Sequence, residues 1–294
     1  MKADVVIVAY GATDDVDRCL DRVIGVEAVA SVTVVDNGDG AGAALATERG
    51  VRGVRMPGNP GFGAAVNHGA ATGDAEAVLV LNPDAVLQED GLRACLAELQ
   101  NDPTVAAAQG AIVNVTTGVE ERSAGRALGP VHLAGRLVHA RSLLRRPLVR
   151  RLARRVPALA DHVDRRPAGP QLVESLAATA VVVRRSAFLA VGGFDDGYFL
   201  YGEDLDLCAR LRDSGWALVA LPTTMAYHRS GASSRSAWDR ELVWWEGTLR
   251  YARLHWDGAS RLAASVIGWC AAAVLVVRSP GRARTVVRAI GGRR

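Results

Sequence analysis

In the run Tyr198-Phe-Leu-Tyr-Gly-Glu-Asp-Leu-Asp-Leu-Cys-Ala-Arg-Leu211, neighbouring acids open a stretch with helical spacing. If a helix starts near Glu203 and ends at Gly215, then Leu207, Cys208 and Leu211 form its buried stripe, and Asp204 falls at the first-turn end of that stripe. Asp206, Arg210 and Asp213 then lie on the opposite, solvated face, with Asp206 and Arg210 as an i,i+4 pair. A carboxylate aimed inward is costly unless it has a use, and one such use is taking a proton. Taken alone, Asp204 is equally well explained as a first-turn acid that complements the helix dipole.

Three other places carry polar groups suited to a phosphate-bearing ligand. Val34-Val-Asp36-Asn37-Gly38 ends a strand-like run and puts a carboxylate where it can accept hydrogen bonds from a nucleobase or ribose; a turn-forming Asp-Asn-Gly explains it equally. Gly58-Asn-Pro-Gly-Phe-Gly-Ala-Ala-Val-Asn67 is a glycine-rich turn leading into a helix whose amino end favours an anion. It lacks a full G-x-G-x-x-G and does not follow the first strand, which argues against a dinucleotide fold. Asn82-Pro-Asp84 is a rigid turn with a single carboxylate, suited to Mg²⁺ or Mn²⁺ held jointly with substrate phosphates, or to an Asx-type turn with no ligand. Late in the chain, Tyr227-His228-Arg229-Ser-Gly231 offers an imidazole and a guanidinium just past a strand.

The elements that must hold these groups follow from hydrophobic period. Strand-like runs fall at Val5–Ala9, Val32–Val35, Val51–Met56, Ala77–Leu81 and Val105–Val113, with helical spacing over Asp14–Val29, Gly63–Thr72 and Gly91–Leu99. That alternation predicts an α/β fold with a largely parallel sheet flanked by helices, whose ligands bind beyond the carboxyl ends of the strands. From Gly118 to Pro170 the pattern gives way to an arginine-rich, proline-punctuated insertion with some helical spacing at Leu143, Leu144 and Leu148. A strand at Ala177–Val183, a helix at Ser186–Val191, the Asp204 helix and a strand near Trp216–Leu221 complete a domain over residues 1–232. A C-terminal helical region, 233–294, is expected to hold a long helix at Trp238–Trp256.

The chain has 294 residues, and about half are apolar. Its four cysteines are scattered without C-x-x-C, which indicates neither a disulfide framework nor a zinc site and suits a reducing cytoplasm. Val5–Ala9 reads as a first strand rather than a leader. A net charge of +4 is too small to imply nucleic acid, but the charge is uneven: Arg136–Arg155 holds eight arginines and Arg278–Arg294 six, neither with an acid. Leu262–Val277 is sixteen uncharged residues, about 24 Å of helix, short of a hydrocarbon core of roughly 30 Å. An interfacial or a core helix is expected there.

In their order, these pieces resemble the inverting nucleotide-sugar glycosyltransferases of the GT-A fold (family 2 type), and most closely their bacterial rhamnosyltransferase-like branch. The matching residues are Val6-Ile-Val-Ala-Tyr10, Val35-Asp-Asn37, Asn59-Pro-Gly-Phe-Gly-Ala-Ala-Val-Asn67, Leu81-Asn-Pro-Asp84, Val183-Arg-Arg-Ser-Ala-Phe188, Gly192-Gly-Phe-Asp195, Tyr201-Gly-Glu-Asp-Leu-Asp-Leu207 and His228. They cover roughly residues 1–232. The resemblance implies a metal ligand at Asp84 and a general base at Asp204; His228, among the matching residues, reads as a further metal ligand or as a structural histidine with its ring satisfied. Asn82 stands where the family's D-x-D turn has its first acid. Nucleotide-sugar contacts are implied at Tyr10, Asp36, Asn59, Gly61, Asn67, Asn82, Asp84 and Arg229, and sugar or acceptor contacts at Asp195 and Glu203.

The expected reaction is a single displacement at the anomeric carbon of a nucleotide-diphosphate sugar, with Mg²⁺ or Mn²⁺ as cofactor. The resemblance favours a deoxythymidine-diphosphate rhamnosyl donor and leaves galactofuranose or another hexose open. The basic runs and the Leu262–Val277 segment favour a polyprenyl-diphosphate-linked glycan acceptor in cell-wall or surface polysaccharide synthesis, reached at the inner face of the cell membrane. A sugar-nucleotide nucleotidyltransferase normally has a basic glycine-rich loop after its first strand, whereas Tyr10-Gly-Ala-Thr-Asp-Asp15 is acidic. A non-catalytic glycan-binding relative would have less reason to keep Asp84, Asp204 and His228 together.

Overall fold

The computed structural model describes residues 1–11, 13–137, 169–229 and 237–291. Most of the Arg136–Arg155 run, the Leu143, Leu144 and Leu148 spacing, and Ser230 and Gly231 lie outside the described residues. Contacts divide the chain into one unit of Met1–Gly125, Arg166–Phe199 and Glu203–Ser234, and a second of Arg126–Arg165, Leu200–Gly202 and Arg235–Arg294.

The first unit contains β1 (Ala3–Ala9), α1 (Thr13–Leu20), β2 (Val29–Asp36), α2 (Ala41–Glu48), β3 (Arg52–Arg55), α3 (Phe62–Ala70), β4 (Ala77–Leu81), β5 (Ala85–Leu87), α4 (Glu89–Asn101), β6 (Val105–Asn114) and β7 (Ala124–Gly125). The second unit takes α5 (Pro130–Leu137). The first unit resumes with β8 (Gln171–Leu172), β9 (Ser175–Leu176), β10 (Ala180–Arg184), α6 (Arg185–Ala190), α7 (Glu203–Asp213) and β11 (Ala217–His228). The sheet runs β3-β2-β1-β4-β10-β6-β11-β5, with β8 on β11. Strands β1 to β4 are parallel, as are β6 and β11, while β10, β5 and β8 pair antiparallel.

Alternation along the buried strands builds two cores. Val5, Ile7 and Ala9 of β1 join Leu79 and Leu81 of β4 beneath Val16 and Leu20 of α1 and Leu92 and Leu96 of α4. Val6 and Val8, with Val78 and Val80, face Ala65 and Val66 of α3, Phe188 of α6 and Leu207 and Leu211 of α7. Both faces are covered, so the strands read as continuous apolar runs.

Several elements differ from expectation. The predicted Asp14–Val29 helix stops at Leu20, because by Ala28 the chain has turned toward β2 and that carbonyl accepts from the Ala3 amide, 3.0 Å. Helix α2 gave no periodic signal, being mostly alanine and glycine. Strand β11 runs seven residues past Leu221: Pro222 sits at a register slip between Ala220 and Thr224, beyond which pairing resumes. Gly110 makes room there, since a Cβ would stand 2.4 Å from the Thr223 carbonyl. Asp206 is not on a solvated face but 2 % exposed, paired with Arg210 at 2.7 Å. The helix buries the Asp206 carboxylate against Arg210, which also donates to the Val191 carbonyl, 2.6 Å.

The second unit packs α5 with α8 (Ala237–His255), α9 (Gly258–Arg278) and α10 (Ala283–Ile290) around Leu133, Trp245, Leu249, Ala264, Leu275, Val286 and Ile290. The sixteen-residue segment belongs to a helix of 21 residues, about 32 Å long. Length therefore does not bar it from spanning a membrane, contrary to the expectation drawn from the sixteen-residue segment. Its Ala264, Ala271, Ala272 and Leu275 are buried in this unit's core, while Leu262, Val266, Trp269 and Val277 point outward.

Candidate active site

The strand order reverses between β1 and β4, and the crevice beyond their carboxyl ends is where such sheets bind ligands. Tyr10 follows β1 with about half its surface exposed, and Asn82-Pro-Asp84 follows β4. The Asn82 amide is fixed by the Thr179 carbonyl, 2.8 Å, and the Asn82 carbonyl accepts from the Ala85 amide, 3.1 Å, closing the turn that presents Asp84.

The extension of β11 past its slip pairs His228 with Ala85 on one side and with Asn114 on the other. His228 Nε2 therefore stands 3.2 Å from Asp84 Oδ1, and its Nδ1 stands 2.8 Å from Glu121 Oε2. Burial opposes charge on this imidazole, but the hydrogen bonds and charges of Asp84 and then Glu121 outweigh it and raise its pKa to about 9. Among the described residues no three His, Cys, Asp or Glu side chains converge as a metal cage. The arrangement offers one carboxylate and one imidazole nitrogen facing each other. That donor set fits a divalent ion that completes its shell with diphosphate oxygens and water. Arg229 keeps its backbone amide on the Asp84 carbonyl, 3.1 Å, and its guanidinium pairs with Asp15, which also pairs with Arg18. The acidic first turn of α1 thereby holds a cation beside Asp84.

Tyr201 at φ 64° and Gly202 at φ 92° turn the chain abruptly just before α7. Asp204 Oδ2 then accepts from the Ala178 amide at 3.4 Å and Oδ1 from the Leu205 amide at 2.8 Å. Glu203 is buried, and among the described residues its Oε2 has no hydrogen-bond partner. Burial raises the Asp204 pKa, and burial followed by the Asp204 charge raises that of Glu203 to about 8. Both carboxyls of this adjacent pair are therefore held above the ordinary carboxylate range. Ala178 and Thr179 are adjacent, so one short segment carries the Asn82–Asp84 turn on one residue and Asp204 on the next. Gln109, 1 % exposed within β6, braces that segment through the Ala177 and Ala180 carbonyls at 2.7 and 2.6 Å. A lone amide in a buried apolar strand must find partners, a signal available in the sequence at Gln109 but not used. Glu121, inside the segment read as an insertion, gave no such signal.

The remaining candidates serve mainly to shape the scaffold. Asp36, 1 % exposed, accepts from the amides of Gly38 at 2.6 Å, Gly42 at 2.7 Å and Ala43 at 3.3 Å. It caps α2, whose Gly40 N-cap has no side chain to do so. Asn59 Oδ1 accepts from the Gly61 amide at 3.2 Å, and the Gly61 carbonyl accepts from Asn37 Nδ2 at 3.0 Å. Gly61 is at φ 108°, and any Cβ would lie 2.6 Å from the Phe199 carbonyl, so this turn requires glycine. Asn67 clamps the Gly193–Asp196 loop: its Nδ2 donates to the Phe194 carbonyl at 2.8 Å and to Asp196 at 3.0 Å, and its Oδ1 accepts from the Phe194 amide at 2.8 Å. Asp195 Oδ1 accepts from the Gly197 amide, 2.8 Å, in an Asx turn of the same loop.

A doubly covered sheet with a strand reversal, a single-carboxylate turn beside a histidine, and a buried Glu203 next to a half-buried Asp204 one segment away is the plan of a GT-A glycosyltransferase. A model of glycosyl transferase family 2 matches residues 4–152, and one described as the N-terminal domain of galactosyltransferase matches residues 168–230. An N-acetylglucosaminyl-diphospho-decaprenol L-rhamnosyltransferase of Mycobacterium tuberculosis is 30% identical over 278 residues, spanning 84% of this chain and 87% of that relative. The Escherichia coli rhamnosyltransferase WbbL is 40% identical over 81 residues, 27% of this chain and 31% of its own. Among solved structures, GalNAc-T7 with UDP, GalNAc and Mn²⁺ aligns at TM-score 0.60 and 16% identity over 88% of this chain and 48% of its own. A Pyrobaculum calidifontis mannosyltransferase with GDP-Man and Mn²⁺ aligns at 0.56 and 15% over 99% and 86%. The chain belongs to glycosyl transferase family 2, and it is an enzyme that transfers a sugar from a nucleotide-sugar donor.

Proposed function

We propose that this chain moves L-rhamnose from dTDP-L-rhamnose, with inversion, onto a polyprenyl-diphosphate-linked glycan at the cytoplasmic face of the membrane. The reaction reading is carried by the neighbouring anchors of Asn82 on Thr179 and of Asp204 on Ala178, which bring a phosphate-side acid and a half-buried carboxylate base to one segment. The rhamnosyl group and the lipid-linked acceptor are supported by the mycobacterial relative's name and span, and the deoxythymidine diphosphate by the family resemblance.

In this reading the diphosphate lies beyond β4, and Asp84 with His228 Nε2 would hold Mg²⁺ or Mn²⁺. Such an ion supplies charge neutralisation for the departing diphosphate. Arg229, steered by Asp15, adds positive charge on the same side. Asp204 takes the proton from the acceptor hydroxyl as that oxygen attacks the anomeric carbon. Glu203 and Asp195 bind sugar hydroxyls. Tyr10 offers an exposed ring for the nucleobase, and Asn59 and Gly61 shape its loop while Asp36 and Asn67 hold the backbone around it.

The outward face of α9 supports a lipid surface as partner. Leu262, Val266, Trp269 and Val277 recur on one side of the helix, whereas its opposite side is already spent on the unit's core. A helix packed this way lies in an interface rather than spanning. Exposed arginines near that face, such as Arg253 and Arg261, add attraction to anionic headgroups of about 1 kcal/mol each.

One experiment reads both halves. The purified chain is incubated with anionic vesicles carrying polyprenyl-diphosphate-linked N-acetylglucosamine and a panel of nucleotide sugars, then pelleted. Rhamnosylated lipid from dTDP-L-rhamnose above all other donors is expected, with the chain in the pellet and Leu262→Glu/Trp269→Glu releasing it. Preference for another nucleotide sugar contradicts the donor, and a chain that stays in the supernatant contradicts the membrane surface.

A further inference from the structure

Glu121 lies in the turn that folds back from the end of β6, a part of the chain with no resemblance to a catalytic motif. Its position is nevertheless tightly determined. The chain reverses fully there: Asn114 N donates to the Val119 carbonyl at 2.9 Å, Gly118 N to the Asn114 carbonyl at 2.8 Å, and Glu121 N to the Ile112 carbonyl at 2.7 Å. Gly118 takes φ 64° at the bend. Asn114 Nδ2 donates to Glu121 Oε1 at 3.0 Å, leaving Oε2 on His228 Nδ1 at 2.8 Å. Asn114 is also the β6 residue that pairs with His228. The same residue thus sets the height of the imidazole and aims the carboxylate behind it.

We infer that Glu121 is a positioning residue: by accepting the Nδ1 proton it fixes the His228 ring and tautomer so that Nε2 is presented toward Asp84 as the second protein donor to a divalent ion. This rests on the metal reading proposed above. An imidazole can rotate about its side-chain torsions, and a metal ligand must be its neutral form, of which only the tautomer with the proton on Nδ1 turns a lone pair toward Asp84. Carboxylates behind metal-bound histidines do this widely, and losing one typically costs about 10- to 100-fold in metal affinity. Glu121 meets the Asp84–His228 pair through His228 Nδ1, so a positioning effect on the metal site travels through that ring.

The test is a titration of the full chain with Mn²⁺ alone, followed by the electron paramagnetic resonance signal of free Mn²⁺, with the thermal midpoint of the metal-free chain measured alongside. Glu121→Ala is expected to weaken Mn²⁺ binding about 10- to 100-fold with a metal-free midpoint within a few degrees of wild type. Glu121→Gln keeps an acceptor oxygen for the Nδ1 proton and should restore affinity to within about threefold. In a His228→Ala background, Glu121→Ala should have no further effect, because nothing remains to be oriented. Mn²⁺ affinity unchanged by Glu121→Ala, or lowered equally with and without His228, overturns the positioning role while leaving the metal site standing if Asp84→Ala still abolishes binding. A wild-type chain that takes up no Mn²⁺, or an Asp84→Ala chain that binds as wild type does, overturns the metal reading and the positioning role with it.

Discussion

Asp204→Asn is expected to lower kcat for sugar transfer by about 10²- to 10⁴-fold while leaving donor KM nearly unchanged. The amide keeps the shape and its one oxygen can still accept from the Leu205 amide, but its NH2 replaces the oxygen that faces the Ala178 amide and the side chain cannot take the acceptor's proton. A fall of less than about tenfold would remove Asp204 from the base role. The control belongs at Asp213, which is exposed at the end of α7, and not at Asp206, which is buried against Arg210. Burial also sets the pH dependence. It raises the Asp204 pKa, and a base works only when deprotonated. Activity should therefore rise with pH through an inflection above the ordinary carboxylate range and be lost as pH falls below it.

Asp84→Ala should reduce kcat/KM for the donor by at least about 10²-fold and abolish stimulation by Mg²⁺ or Mn²⁺. It removes the only carboxylate of the Asn82-Pro-Asp84 turn and one of the two acids on the His228 ring. Leaving group stabilisation is the loss, so substrates with better leaving groups should suffer less. Wild-type activity that survives EDTA intact, together with an Asp84→Ala variant that turns over normally, would rule out the metal role.

Much of this was legible before any coordinates. The β1, β4 and β6 runs are long, apolar and bounded by turn residues, so period alone located them, and the Leu207, Cys208, Leu211 stripe is buried as its spacing requires. What failed had local causes. Asp206 was placed on a solvated face because an i,i+4 partner at Arg210 looks like surface chemistry, yet neighbouring elements cover that pair. The far half of β11 was hidden by Pro222, which ends most strands but here occupies a slip in register. That slip carries His228 to Ala85, so its link to Asp84 depends on a bulge that no period can encode. Glu121 and Gln109 act through pairings 107 and 68 residues away along the chain, a distance over which spacing says nothing. Asp36 had the right edge of the sheet, and only the hydrogen bonds reveal that α2 draws on it for its cap.

The configuration of the newly formed glycosidic bond tests the central claim most directly. The product made from dTDP-L-rhamnose would be isolated and its anomeric centre assigned by nuclear magnetic resonance, with the donor assigned alongside. A single displacement driven by Asp204 requires the product to be opposite to the donor at that carbon. Retention of the donor's configuration would demand either a covalent sugar–enzyme intermediate or same-face attack, and would contradict Asp204 as the base of a direct attack.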